Sequence, residues 1–326
     1  MVYAHGYVKA DEPLAIPDDQ VEGQGVQDIV TGLGYAYATT SYRANGLVAD
    51  QGAEDVASVV ETVRARFQPD PARAFLVGVS EGGLVAALAA EQRPDLFAGA
   101  LLGCGPVGDF RAQIDYFGDF RVLFDYYFPG VIPGPPLEVP DSVRAQWEST
   151  FVPKIAAALL THPSSALELL QVAGAPFDVT NPTTVGATTL GVLDYDIFAL
   201  PDAEARLGGE PYDNTARVYA GSSDDAALNA GVARVTADPT ARAALDRFET
   251  SGVLTVPVST IFTTGDPVVP SSQSSLYADK LASHGAGDLL RAFPITRYGH
   301  CTFTKTELLN AFGSLLGRAA AAARID

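Results

Sequence analysis

Apolar residues in the first third of the chain alternate between the spacing of a helix and that of a strand. Short apolar or β-prone runs at residues 2–4, 35–40, 74–77 and 97–102 predict strands, and the last two are continuous, as in strands buried on both faces. Two further sets have the spacing of one helix face: Val26, Ile29, Val30 and Leu33, then Val56, Val59, Val60, Val63 and Phe67. Strands that alternate with helices indicate a parallel sheet with helical crossovers.

This alternation stops near residue 105 and returns near residue 253. Between them we find helical patches, a cluster of aromatic residues and a proline-rich stretch, but no apolar run typical of a buried strand. The rest of the chain predicts a strand, a helix, a strand and a helix, at residues 254–262, 271–284, 289–296 and 302–323. We therefore predict an α/β core from residues 1–105 and 253–326, with an inserted, mainly helical cap or lid domain at residues 106–252.

Composition and charge exclude several function classes. The 39 acidic and 21 basic side chains give a net charge of −18, which argues against a nucleic-acid partner because phosphates need a basic surface. With 47% hydrophobic and 18% charged residues, the chain should fold around a core. No membrane span is predicted, and the oligomeric state is left open. The first residues lack a signal-peptide pattern, so Met1 either follows a removed export signal, giving a secreted or periplasmic protein, or starts a cytoplasmic one. The exported location is favoured.

The segment Gly78-Val79-Ser80-Glu81-Gly82 lies between the buried strand predicted at residues 74–77 and a helix predicted over residues 84–90. This is the context of a nucleophile elbow, in which a tight strand-to-helix turn presents a serine hydroxyl above the edge of the sheet. Gly78 and Gly82 allow the close backbone contacts of such a turn, and the helix N-terminus favours a developing negative charge. A chance pentapeptide is the alternative in a chain with 31 glycines. We predict that Ser80 is a nucleophile.

A serine nucleophile requires a base and a carboxylate that orients the base, in the chain order serine, acid, histidine. His300 follows the last predicted strand, whereas His162 and His284 are more simply surface residues. Asp266 follows the preceding strand, and Asp109, after an earlier strand, is the alternative acid. The predicted triad is Ser80, His300 and Asp266.

An oxyanion formed at Ser80 needs two backbone N–H donors. The first is expected from Glu81, the residue after the nucleophile. The second is expected from Tyr7 in the loop His5-Gly6-Tyr7 after the first strand, where Gly6 lets the backbone approach the substrate. In this interpretation His5 shapes the loop; a simple turn is the alternative.

With His5-Gly6, the elbow, Asp266 and His300 in this order, the chain resembles the serine esterases of the α/β-hydrolase fold, such as carboxylesterases and lipases. The resemblance covers about 180 residues of the predicted core. It implies a mostly parallel central sheet and acyl transfer through Ser80 without a cofactor or a metal. The superfamily usually has two more strands before the His-Gly loop. Either the chain is truncated there, which would expose an edge of strand 2–4, or the sheet is a shortened version with six strands.

Cys104 and Cys301 are the two cysteines. A cysteine beside His300 resembles the tannase and feruloyl esterase group, in which a cysteine beside the catalytic histidine bonds one beside the nucleophile; here Val79 occupies that second place. Since Cys104 ends the strand next to the elbow strand, a Cys104–Cys301 disulfide is compatible with the predicted sheet. Two free buried thiols are the alternative.

The aromatic cluster at residues 110–128 has two interpretations. It forms either the core of the predicted cap or an acyl- or aryl-binding wall over the nucleophile. The candidate wall residues are Phe110, Tyr116, Phe117, Phe120 and Phe124.

The reaction predicted from these residues is hydrolysis of a small-molecule carboxylic ester through an acyl-enzyme. A serine peptidase of the same fold, resembling prolyl oligopeptidase or proline iminopeptidase, would use the same triad. A polyester-degrading esterase would need an open cleft, which a cap of about 145 residues disfavours. A non-catalytic binding protein on this scaffold is disfavoured because no triad member is missing.

Overall fold

The computed structural model describes residues 1–67 and 74–322. The chain forms two compact units, one from Met1–Phe110 with Arg247–Asp326 and the other from Arg111–Asp246. The boundaries differ from the predicted ones because both flanks of the insertion pair within the first unit. The Phe110 ring stacks on Phe248 with centroids 4.9 Å apart, and the Phe110 N–H donates to the Glu249 carboxylate at 2.8 Å.

The first unit contains a parallel sheet of six strands in the order β4-β1-β5-β6-β7-β8. The strands are β1 (Val2–Ala4), β4 (Ala38–Thr39), β5 (Ala74–Val79), β6 (Phe97–Gly103), β7 (Val258–Gly265) and β8 (Leu290–Tyr298). A separate antiparallel pair is formed by β2 (Gln20–Val21) and β3 (Gln24–Gly25). The predicted α/β architecture with a short, parallel sheet is therefore confirmed.

Strand β1 is not an edge strand of the sheet. Val2 is in register with Ala38 on one side and with Leu76 on the other, so β1 is an interior strand. The edge position belongs to β4, which is shorter than the β-prone run at residues 35–40. Strand β7 begins at Val258 rather than near residue 254, directly after Pro257, which has no N–H for a ladder.

Helices cover the sheet of the first unit. They are α1 (Val26–Gly32), α2 (Ala49–Phe67), α3 (Glu81–Gln92), α11 (Ser272–Ser283) and α12 (Lys305–Ala322), with a short 3-10 turn at Gly287–Leu289. A second 3-10 turn, Leu245–Phe248, contains the point in the chain where the second unit ends and the first resumes. Residue 323, the predicted end of the last helix, lies outside the described residues. The prediction that Phe67 belongs to the buried face of α2 is wrong, because this side chain is 72% exposed. The buried face instead includes small residues such as Ala53 and Ala57.

Strand β5 is not buried on both faces as its continuous apolar run predicts. Leu76 is fully buried, but Phe75, Val77 and Val79 are only partly buried. Side chains alternate along a strand, so these three residues share one face of the sheet. The packing over that face is incomplete.

The regular elements of the second unit are all helical, and none of its residues 111–246 lies in a strand. Its helices are α4 (Phe110–Tyr127, from residue 111 onward), α5 (Asp141–Ala145), α6 (Val152–Thr161), α7 (Pro163–Ala173), α8 (Thr183–Leu207), α9 (Asp225–Gly231) and α10 (Pro239–Ala244), with a π-helical turn at Trp147–Phe151. The core of this unit contains charged and acidic side chains. Arg121 is fully buried beside Asp125. Asp196 is also buried, and this burial raises its pKa well above the usual range. Among the described helices of either unit, none combines the length and the apolar character needed to cross a bilayer.

Candidate active site

Ser80 lies between the end of β5 and the start of α3 in a conformation that side chains rarely adopt. Its backbone has φ 55° and ψ −128°. A non-glycine residue in such a region costs roughly 1–3 kcal/mol and persists only where the surroundings hold it. Here the Ser80 N–H donates to the Gly103 carbonyl at 2.8 Å, and the Ser80 carbonyl accepts from the Gly83 N–H at 2.8 Å.

The two glycines of the elbow are required by close backbone contacts. A Cβ at position 78 would lie 1.9 Å from the carbonyl oxygen of Gly82, and a Cβ at position 82 would lie 2.1 Å from the carbonyl oxygen of Ala4. Neither contact can be relieved by moving a flexible side chain. The spacing Gly-x-Ser-x-Gly is therefore the steric requirement for packing α3 onto β5 and β1.

The structure brings Ser80, His300 and Asp266 together in one hydrogen-bonded chain. Ser80 Oγ is 2.8 Å from His300 Nε2, and His300 Nδ1 is 2.8 Å from Asp266 Oδ2 and 3.0 Å from Oδ1. Asp266 is 1% exposed, and its Oδ1 also accepts the N–H groups of Val268 and Val269 at 2.9 and 3.0 Å. A buried carboxylate bonded in this way can hold the imidazole with Nδ1 protonated and Nε2 free to accept a proton.

The carboxylate that contacts His300 is that of Asp266 rather than the alternative acid, Asp109. The backbone of Asp109 is tied to α11, because its N–H donates to Gln273 Oε1 and its carbonyl accepts from Gln273 Nε2, both at 2.8 Å. His284 ends α11 with Nδ1 3.0 Å from the Lys280 carbonyl, and His162 belongs to the second unit.

The loop after β1 approaches Ser80 closely. A Cβ at Gly6 would lie 3.2 Å from Ser80 Cβ. The buried His5 fixes this loop: its Nδ1 donates to the Gly6 carbonyl at 2.7 Å, and its ring stacks on Tyr42 with centroids 4.0 Å apart. Burial lowers the pKa of His5, so the ring is neutral near pH 7. That the N–H of Tyr7 is an oxyanion donor stays a prediction.

Glu81 directs its side chain into the fold. It is 6% exposed, and its Oε1 accepts the Val48 N–H at 2.7 Å, next to the start of α2. Its backbone N–H lies in the first turn of α3, where helical N–H groups lack partners within the helix. The contact of the Glu81 side chain with Val48 does not involve the Glu81 backbone N–H, whose role as an oxyanion donor stays a prediction.

Two observations identify the fold. The first is a sheet of six parallel strands flanked by helices. The second is the order of the site residues, with a strained serine after β5, an aspartate after β7 and a histidine after β8. The chain has the α/β-hydrolase fold. A sequence model of the prolyl oligopeptidase family matches residues 29–119, which is 91 of 326 residues. The match and the elbow that it contains support a hydrolase of this fold. Comparison with curated proteins found no match.

Several solved structures are similar to this α/β hydrolase over most of its length. An esterase from Pyrococcus furiosus is 12% identical, with a TM-score of 0.47 over 97% of this chain and 81% of that one. Lipase A from Candida antarctica is 13% identical, with a TM-score of 0.48 over 97% and 70%. A monoacylglycerol lipase from Paleococcus ferrophilus is 13% identical, with a TM-score of 0.42 over 98% and 93%.

A disulfide joins Cys104 to Cys301 beside His300. Cys104 follows the end of β6, and Cys301 follows His300 in the chain. Cys301 Sγ lies 3.3 Å from His300 Nε2, the nitrogen that contacts Ser80. The bond ties the loop that carries His300 to the sheet. The likeness to tannases is not shown, since Val79 precedes Ser80.

We expect loss of this disulfide to destabilise the folded hydrolase. The cysteines are 197 residues apart, and closing a loop of that length restricts the unfolded chain strongly. The double variant Cys104→Ser/Cys301→Ser should lose roughly 2–5 kcal/mol of unfolding free energy, as measured by urea denaturation. The wild-type enzyme in a phosphine reductant should show the same loss, and the reductant should leave the double variant unchanged. Equal stability of oxidised and reduced wild type would contradict this expectation.

Four of the five candidate wall residues are packed as core. Phe110 belongs to the first unit, where it stacks on Phe248. In the second unit Phe120 and Phe124 are fully buried, and Phe117 stacks on Tyr195 with centroids 5.1 Å apart. Tyr116 is partly exposed and lies beside Phe117. A role for these rings in contacting substrate stays a prediction.

The amide donors to Asp266, from Val268 and Val269, are the part of the site that sequence reasoning missed. A signal for them exists in the segment Asp266-Pro267-Val268-Val269. An aspartate often accepts backbone N–H groups two or three residues later, and a following proline favours the turn that places them there. The same turn removes this carboxylate from water and points it at His300.

Proposed function

We propose that this protein hydrolyses carboxylic esters of small molecules through an acyl-enzyme on Ser80. The observation that carries the proposal is the continuous chain from Ser80 Oγ to His300 Nε2 and from His300 Nδ1 to Asp266, with 2.8 Å at each step. A hydroxyl is a weak nucleophile at neutral pH and needs a base within hydrogen-bond reach, itself oriented by a third group. That requirement accounts for all three residues.

In the first half of the proposed reaction, His300 acts as the base. Ser80 Oγ attacks the ester carbonyl carbon as its proton passes to His300 Nε2. The imidazolium that forms is stabilised by Asp266, which stays ionised and keeps Nδ1 protonated. The N–H groups of Tyr7 and Glu81 bind the oxyanion, and His300 returns the proton to the departing alcohol.

In the second half, water releases the acid. His300 takes a proton from a water molecule, the hydroxide attacks the acyl carbonyl, and Ser80 leaves with that proton restored to Oγ. The same two N–H donors serve this second oxyanion. The carboxylic acid product and the free hydroxyl of Ser80 complete the cycle without a cofactor.

The site supports an ester substrate more than a peptide. A peptidase that trims a free amino terminus needs a carboxylate for the substrate ammonium, but the carboxylate next to Ser80, that of Glu81, accepts the Val48 N–H. The match to the prolyl oligopeptidase family ends at residue 119, before Asp266 and His300. It therefore does not favour amide over ester cleavage.

A matched pair of substrates tests this preference. The enzyme should hydrolyse p-nitrophenyl butyrate with a kcat/KM at least about tenfold above that for butyryl-p-nitroanilide, a difference of ~1.4 kcal/mol in transition-state free energy. Alanyl- and prolyl-p-nitroanilide test the alternative peptidase activity, and a polyester suspension tests the alternative polyester-degrading activity. Faster cleavage of an aminoacyl anilide would favour the peptidase, and faster release of acid from the polymer would favour the polyester-degrading enzyme.

A further inference from the structure

The disulfide places two sulfur atoms beside the nitrogen that is proposed to act as the base. Cys301 Sγ lies 3.3 Å from His300 Nε2. Cys104 Sγ is bonded to Cys301 Sγ, and the three atoms all lie within 4.8 Å of one another. A sulfur at about 2.3 Å and a nitrogen at about 2.0 Å from a tetrahedral zinc ion are themselves roughly 3.5 Å apart. The spacing of Cys301 Sγ and His300 Nε2 is therefore already close to that of two ligands on one metal ion.

His300 is oriented as a metal-binding histidine usually is. A histidine that binds a metal through one ring nitrogen commonly donates the N–H of the other nitrogen to a carboxylate, which fixes the ring and makes the first nitrogen a stronger ligand. Asp266 is buried with Oδ2 2.8 Å from Nδ1, and it supplies that carboxylate. The lone pair of Nε2 that would accept the proton of Ser80 can therefore also bind a metal ion.

Backbone hydrogen bonds hold both cysteines independently of the disulfide. The Cys104 N–H donates to the Ile261 carbonyl at 2.8 Å, and the Cys301 carbonyl accepts from the Phe303 N–H at 2.8 Å. The Cα atoms of the two cysteines are 5.5 Å apart. We therefore expect the two thiols to stay close to each other and to His300 after the disulfide is reduced.

The sulfur atoms have room to separate, and a metal ion can reach them from solvent. Two sulfur ligands of a tetrahedral zinc ion are roughly 3.8 Å apart, so the side chains must turn after the bond is broken. Cys301 lines a cavity of about 310 Å³, which residues of α1 and α12 also line. The side chain of His300 is 19% exposed, and Cys301 is also partly exposed.

We propose that reduction of the disulfide creates a zinc-binding site formed by Cys104, Cys301 and His300. Two electrons from a reductant and two protons convert the disulfide to two thiols, and both thiols lose their protons when the ion binds. Thiolate and imidazole ligands favour Zn²⁺ over Mg²⁺ and Ca²⁺, which prefer oxygen. A water molecule completes the four ligands of such a site.

Bound zinc stops ester hydrolysis, a consequence that rests on the proposed function. The ion occupies the lone pair of His300 Nε2, so this nitrogen cannot take the proton of the Ser80 hydroxyl 2.8 Å away. In the oxidised enzyme both sulfur atoms are in the disulfide and neither is a thiolate. Zinc therefore inhibits after reduction, and the disulfide protects the base from the metal.

Zinc titration of the wild type in a phosphine reductant tests the site. One equivalent of zinc chloride should bind to the reduced enzyme and lower kcat/KM for p-nitrophenyl butyrate at least about tenfold, whereas the oxidised enzyme should change by less than about twofold. Cobalt chloride in place of zinc should give the near-ultraviolet absorption of a thiolate–cobalt bond, which surface carboxylates do not give. The variant Cys104→Ser/Cys301→Ser should show neither this absorption nor inhibition by zinc.

Two histidine variants provide a matched control for binding. His300→Ala should weaken zinc binding to the reduced enzyme at least about tenfold by calorimetry, whereas His284→Ala, at an exposed position after α11, should bind zinc as the wild type does. Zinc should also raise the urea midpoint of the reduced wild type but not that of the double cysteine variant. This comparison holds even if reduction unfolds part of the chain, because metal binding then drives folding.

The outcomes separate the metal site from the proposed function. Equal zinc binding by the reduced wild type and the double cysteine variant, or bound cobalt without thiolate absorption, would overturn the site. Zinc binding with the cobalt signature but unchanged turnover would overturn the inhibition alone. If the wild type cleaves no ester, the proposed function fails, and the zinc titration and the cobalt spectrum still decide whether the site exists.

Discussion

Replacing Ser80 by alanine is expected to lower kcat for p-nitrophenyl ester hydrolysis by on the order of 10⁵- to 10⁶-fold. The hydroxyl that forms the acyl-enzyme is lost, and His300 is left without a proton to accept at 2.8 Å. Residual hydrolysis would come from the oxyanion donors acting on bound ester and water. The same variant should lose covalent labelling by a fluorophosphonate, as measured by mass spectrometry of the intact protein.

The fold should survive this substitution. Alanine at φ 55° carries much the same backbone cost as serine, and the hydrogen bonds of residue 80 to Gly103 and Gly83 use only its backbone. The unfolding midpoint in urea should therefore stay close to that of the wild type. Ser58→Ala, on the exposed side of α2, is the matched control and should keep full activity. Undiminished turnover in Ser80→Ala would refute the assignment.

Replacing Asp266 by asparagine is expected to lower kcat roughly 10⁴-fold. Oδ1 accepts the N–H groups of Val268 and Val269, so the amide oxygen should keep that place and the amide nitrogen should face His300. An NH₂ group there makes His300 Nδ1 an acceptor and puts the ring proton on Nε2. Nε2 then cannot accept the proton of Ser80.

The measurement is kcat/KM for p-nitrophenyl butyrate together with the rate of fluorophosphonate labelling, which should fall in parallel. Asp279→Asn, at an exposed position of α11, should change neither rate. Activity of Asp266→Asn within tenfold of the wild type would mean that another carboxylate orients the base, and Asp109 would be the next to test.

The parts of the site that depend on local chain geometry could be predicted from the sequence. The elbow needs glycines at positions 78 and 82 because backbone atoms of α3 and β1 occupy the space of a side chain, and such a constraint is visible in five consecutive residues. Asp266 and His300 follow the ends of two strands, where parallel topology brings them to one edge of the sheet. Order and spacing were therefore enough to predict that these two side chains meet.

The parts that depend on packing between distant segments could not be predicted. The pairing of Val2 with Ala38 depends on where a strand of two residues docks. The apolar spacing of α1 specifies a hydrophobic face but not whether that face is filled, and here it lines a cavity. The boundary at Phe110 depends on its contact with Phe248, which is distant in sequence. In each case the deciding contact joins residues that are too far apart in the sequence for a periodic pattern to reveal it.

The backbone around Ser80 and the disulfide has a consequence for laboratory evolution of this protein. Within residues 1–67 and 74–322, five non-glycine residues have a positive φ, and Ser80, Cys104 and Cys301 are three of them. Each such conformation costs roughly 1–3 kcal/mol, which the rest of the fold must offset. Most substitutions lower the free energy of unfolding by a further amount of similar size. Libraries aimed at new substrates should therefore start from a variant stabilised elsewhere, for instance in the exposed parts of α2, because only such a parent can tolerate changes near Ser80 and still fold.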